Sequence, residues 1–117
     1  MLNQNAGVTM KSEFMQISTT CDRQEILEQI AAKLVADRTA ACCQLEGPVT
    51  SVYRWEGKTE SASEYRLLIK TTTELFSAVE ASVIELHSYQ QPQITAVPIV
   101  AASEGYASWV RDNVGGA

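Results

Sequence analysis

The chain of 117 residues has the length of one domain, and its 45% hydrophobic and 20% charged residues place it with folded rather than disordered sequences. A formal net charge of −5 opposes binding to nucleic acid or to an anionic membrane. Met1–Ser12 lacks the apolar core of a secretory signal and no apolar run is long enough to cross a bilayer, so a soluble, cytoplasmic protein is expected.

In chain order, residues 1–12 are rich in Asn, Gln and Gly without a sustained period and read as a flexible tail, leaving residues 13–113 as a single domain. Glu13–Thr20 alternates loosely and is expected as a strand. Asp22 and Glu25 form a D-x-x-E capping pattern, and Ile26, Leu27, Ile30, Ala31, Leu34 and Val35 recur on one face, which predicts a helix over Arg23–Asp37. Ala40–Leu45 reads as a buried strand that Gly47-Pro48 breaks, and Val49–Glu56 as a second strand with Tyr53 and Trp55 on one face. Gly57-Lys58 and the polar stretch Thr59–Ser63 are expected to turn the chain into a returning strand over Tyr65–Lys70, completing a long hairpin.

Phe76, Val79, Val83 and Leu86 predict a second helix over Thr73–Leu86, capped by Thr72 or Thr73. Ile94–Val100 is apolar enough for a covered strand, with Pro98 marking an edge. Glu104–Asn113 closes as a short helix presenting Tyr106, Trp109 and Val110 together. The order is α+β, a βαββαβ ferredoxin-like sandwich with a long β-hairpin and a short C-terminal helix. Both long helices would cover one sheet face, so the other face and its aromatic residues call for self-association.

The common phosphate-loop, nucleophile-elbow and zinc-protease motifs are absent, and His87 is the single histidine, so no catalytic triad is expected and the chain is read as a non-enzyme. The three cysteines, Cys21, Cys42 and Cys43, have no Cys-x-x-Cys spacing and are expected as free thiols. Cys21 stands where a helix N-terminus would activate a thiol, or simply fills a tight junction. His87 ends the second helix, where it either caps the terminus or serves as a ligand. Thiolate and imidazole together suit copper or zinc, but two donors cannot fill a tetrahedral site unless symmetry supplies more. Asp22, Glu25 and Glu28, and Glu56, Glu60 and Glu64 around the hairpin turn, read as caps and solvated faces.

Several blocks carry a more specific message: A-A-C at Ala40–Cys42, T-S-V-Y-R-W-E-G-K at Thr50–Lys58, S-E-Y-R-L-L-I-K-T at Ser63–Thr71, H-S-Y-Q-Q-P-Q-I at His87–Ile94, V-P-I at Val97–Ile99 and Y-A-S-W-V at Tyr106–Val110. In content and order they resemble the CutA family of divalent-cation tolerance proteins. The resemblance implies a ferredoxin-like homotrimer with a role in tolerance to divalent cations, copper especially, with Cu2+ or another divalent cation bound rather than an obligatory cofactor. By position, Cys21 and His87 match the residues associated with metal in relatives. Ser88, Gln90 and Gln93 depart from the proline and carboxylates that many relatives carry beside the histidine, and Leu86 stands where some have a second one. The alternative is a PII-like trimeric signalling module that holds an anionic small molecule or a partner protein in an inter-subunit cleft. Tyr53, Arg54, Trp55, Lys58 and Lys70, with Arg66, are its candidate residues.

Overall fold

The computed structural model describes residues 12–116. Its elements are β1 (Phe14–Cys21), α1 (Gln24–Ala36), β2 (Cys42–Trp55), β3 (Lys58–Thr72), a 3-10 turn (Thr73–Leu75) running into α2 (Phe76–Leu86), β4 (Thr95–Ile99) and α3 (Glu104–Asn113). The strands form one antiparallel sheet in the order β2-β3-β1-β4, the ferredoxin-like arrangement expected from the element order. The tail expected over residues 1–12 lies outside the described residues except for Ser12. That residue is tied down: its Oγ donates to the Ile99 carbonyl at 2.6 Å and its carbonyl accepts from Thr73 Oγ1 at 2.6 Å.

The core sits between one sheet face and the two long helices. Alternation along β1 sends Ile17, Thr19 and Cys21 to the same side, where with Leu67 and Ile69 of β3 they meet Leu27, Ile30 and Leu34 of α1 and Val79 and Val83 of α2. Phe14 is out of phase with that set and belongs to a second cluster with Ala41, Ala107 and Val110, so α3 covers the start of the opposite face. Arg111 of α3 fixes this contact by a bidentate pair with Glu13 at 2.6 and 2.8 Å, its guanidinium standing over the Phe14 ring.

Four expectations are corrected. Gly47-Pro48 does not end a strand, because the pairing of β2 with β3 resumes after a register shift between Glu46 and Val49, making one strand of 14 residues. Thr59–Ser63 is strand rather than turn: Trp55 pairs with Lys58, and the turn is Glu56-Gly57, both at positive φ as a two-residue hairpin requires. Those residues are polar because no helix covers them. The helix caps also differ, since neither Arg23 nor Thr72 makes a side-chain cap bond, whereas Ser103 caps α3 by accepting from the Tyr106 amide at 3.3 Å. On α3, finally, Ala107 and Val110 face inward while Tyr106 and Trp109 stack on each other on the exposed side.

Gly47 has φ +138°, and a Cβ there would lie 2.9 Å from Tyr65 Cδ2 and 3.1 Å from Tyr65 Cα. Both the backbone angle and the close approach demand glycine. Gly47→Ala is expected to lower unfolding free energy by about 2 kcal/mol or more in chemical denaturation, well above the roughly 1 kcal/mol for Gly57→Ala at an open turn. Thr19 is fully buried, and among the described residues its hydroxyl has no partner. Thr19→Val, which keeps the shape and removes the stranded polar group, is expected to raise stability by about 1 kcal/mol in the same assay.

Candidate functional site

The chain reversal that brings α2 back to the sheet places His87 beside the end of β1, so the two expected metal residues fall in one neighbourhood. Cys21 is the last residue of β1 and fully buried; its thiol lies 3.5 Å from Ser88 Oγ, accepts from the Arg23 amide at 3.5 Å and lies 3.8 Å from Asp22 Oδ1. His87 stands at the C-cap of α2, yet its ring turns away from the helix. Nδ1 accepts from the Tyr89 amide at 3.0 Å, which leaves Nε2 to carry the proton and donate to the Thr20 carbonyl at 2.8 Å. Both ring nitrogens are therefore engaged, Nδ1 within the loop after α2 and Nε2 in fixing that loop to β1.

This donor set does not fit a metal ion within one chain. The thiol is enclosed, the imidazole has no free lone pair, and among the described residues no group of three His, Cys, Asp or Glu side chains converges. Cys43, on β2, is no better placed: burial, and secondarily the neighbouring Cys42, push its thiol up to about 12, so the thiolate that metals bind is scarce. Native protein treated with iodoacetamide at pH 8.5 should alkylate at Cys43 on the order of 10²- to 10³-fold more slowly than unfolded protein, by mass spectrometry of tryptic peptides.

The cleft candidates divide. Tyr53, Arg54, Trp55 and Lys58 cluster at the exposed hairpin tip, where Arg54 Nη1 donates to the Gly57 carbonyl at 3.4 Å. Lys70 is not with them. It pairs with Cys42 and Gln16 near the base of the sheet, about 40 Å away along β3 at roughly 3.3 Å per residue, and its ammonium donates to Gln44 Oε1 at 2.6 Å. Arg66 lies between, in an ion pair with Glu46 at 2.9 Å.

Sequence reasoning missed a buried carboxylate. Glu64, assigned to the solvated hairpin turn, is 8% exposed. It accepts from Ser51 Oγ at 2.6 Å through one oxygen and from the Tyr89 hydroxyl at 2.6 Å through the other. The Tyr89 oxygen in turn accepts from the Asp22 amide at 2.9 Å. Burial, and then the Glu64 carboxylate, raise the Tyr89 phenol above its ordinary range, so it stays a donor. The signal was present, since Glu64 and Tyr89 both stand inside the blocks S-E-Y and H-S-Y, but a carboxylate near a turn carries no mark of burial in a single sequence.

Similarity to known proteins decides the family. The family described as CutA1 divalent ion tolerance protein matches residues 15–113. The chain belongs to this family. The divalent-cation tolerance protein CutA of Thermus thermophilus is 40% identical over 96 residues, 82% of this chain and 93% of that protein. The human protein CutA is 36% identical over 92 residues, 79% of this chain and 51% of that protein, so the chain spans about half of the human relative. Among solved structures, CutA1 of Shewanella sp. SIB1 superposes with a TM-score of 0.88 at 34% identity, covering 92% of this chain and all (100%) of that one. The solved Cut A1 of Thermus thermophilus gives 0.85 at 37% identity, covering 87% and 99%. The long hairpin and the helix-covered core are thus family architecture.

Proposed function

We propose that this chain serves divalent-cation tolerance as a homotrimer, without catalysis, and that any copper it takes up is held by donors from more than one copy. The observation that carries the reading is that, apart from Val35 on α1 and Ile84 on α2, the exposed large apolar residues fall into two unlike groups. One is the hairpin arm, with Val52 69% and Trp55 56% exposed beside Tyr53; the other runs from β4 to α3, with Val100 86% exposed beside Val97, Tyr106 and Trp109. Exposed apolar groups on a small domain suit an interface, and two unlike ones suit head-to-tail contacts that close a ring. The number three is the one that the sequence resemblance implies. Shared metal donors follow from the local chemistry, since Cys21 and His87 of one chain are already committed to other contacts.

The exposed tip favours the second reading in one respect: among the described residues, Arg54 and Lys58 make no ion pair and stand with Tyr53 and Trp55, although Glu56 and Glu60 share the tip. A shift in unfolding temperature with small phosphorylated or carboxylated compounds, lost in Arg54→Ala, would favour that reading over copper.

Light scattering combined with calorimetric copper titration tests the proposal. The expected mass is three times 12.8 kDa, about 38 kDa, with copper uptake by the assembled protein. Trp55→Asp should lower both the mass and the uptake, whereas Cys21→Ser should leave uptake within about twofold. A monomer that binds copper, or a trimer that ignores it, would overturn the copper part; a monomeric wild type would overturn the assembly.

A further inference from the structure

Glu64 occupies the point on β3 where the sheet changes character. From Arg66 to Lys70 the strand is paired on both sides, with β1 and β2, and one of its faces is covered by α1 and α2; from Lys58 to Ser63 its pairing is to β2 alone and its residues are exposed or half-buried. A carboxylate enclosed at such a border would be costly without donors. Its two donors come from two different parts of the molecule. Ser51 belongs to the outer arm of the hairpin, diagonal to Glu64 across the β2–β3 ladder, in which Val49 is its direct partner. Tyr89 belongs to the loop after α2, and its hydroxyl also holds the Asp22 amide at the entrance to α1. Among the described residues Glu64 has no ion-pair partner, so these two hydroxyls are what hold it.

We propose that Glu64 is a tether coupling the outer hairpin arm to the His87–Ile94 loop, so that the two segments open together and a molecule that orders either one orders the other. The coupling is reciprocal because both hydroxyls converge on a single carboxylate: losing one donor leaves the carboxylate under-satisfied and favours the states in which it reaches water, which strains the remaining bond. Tyr89 extends the connection, since the loop is also pinned to β1 through the ring of His87, which packs at 4.7 Å from the Tyr89 ring. The hairpin arm, the loop and the start of α1 therefore share one buried polar junction.

Native-state hydrogen exchange on the assembled protein, read by mass spectrometry, tests this with Ser51→Ala, Tyr89→Phe and Glu64→Gln. Ser51→Ala lies in the arm, yet it is expected to speed amide exchange in residues 87–94 about tenfold, and Tyr89→Phe to speed exchange in residues 49–55 and 59–64 by a similar factor. Ser63→Ala, an exposed change on the same strand, should leave the loop unchanged. If each variant accelerates exchange only in its own segment, the tether is refuted. Should Glu64→Gln fail to fold, the two hydroxyl deletions, each of which keeps the carboxylate, still decide the matter.

Discussion

β3 is 15 residues long and β1 is eight, and only Tyr65–Thr72 of β3 finds β1 opposite it. That mismatch in length governs the rest of the architecture. Helices can bury their apolar faces only where the sheet is wide enough to receive them, so α1 and α2 pack over the part of the sheet that contains β1. Beyond Glu64 the hairpin is a two-stranded ribbon, which has no layer on either face and carries polar residues and aromatics in place of an aliphatic core. The register shift at Glu46–Val49 lies where the ribbon leaves the body, and Gly47 there permits the close approach of β2 to Tyr65.

The polar chemistry of the chain concentrates at the same border. His87, Tyr89, Glu64, Ser51 and the thiol of Cys21 each have partners that leave them little freedom to bind something else. A residue type suited to metal is therefore a poor guide when its geometry is already satisfied: the imidazole of His87 uses its acceptor on one backbone amide and its donor on one carbonyl, and a metal would have to displace the first of these. The departures at Ser88, Gln90 and Gln93 fit this picture, because they place neutral groups around a loop that is held by hydrogen bonds rather than by ion pairs.

The element order was legible in the sequence because periodicity reports burial against a covering layer. Ile26, Leu27, Ile30 and Leu34 mark α1 for that reason, and Val79 and Val83 mark α2. Where no layer exists the signal fails, so Thr59–Ser63, polar on both faces, looks like a turn although it is a ladder of strand pairs. Capping failed for a different cause: Glu25, expected to reach back to the helix start, is held by Arg23 at 2.9 Å. Glu64 was invisible as a buried group because its partners lie 13 and 25 residues away in the chain. Cys21 and His87 were found as neighbours through resemblance, but which bonds their side chains make depends on the backbone amides of Arg23 and Tyr89, and those are set only by the fold.

The ribbon also constrains how copies of the chain can meet. Its apolar residues, Val52, Tyr53 and Trp55, extend away from the core, while Val97 and Val100 lie on and just after β4, and Tyr106 and Trp109 on α3, all on the body. A two-fold dimer through either patch alone would leave the other in water. A head-to-tail contact joins one of each and leaves a free patch at each end of an open chain of copies. In the proposed assembly, closing the ring removes both ends and adds a further interface without a further loss of translational freedom, which favours a closed form over an open one made from the same contact. Edge placement of β4 serves that geometry. Pro98 lacks an amide hydrogen to offer an indiscriminate neighbour, which leaves the side chains of the body and the hairpin arm to set the partner.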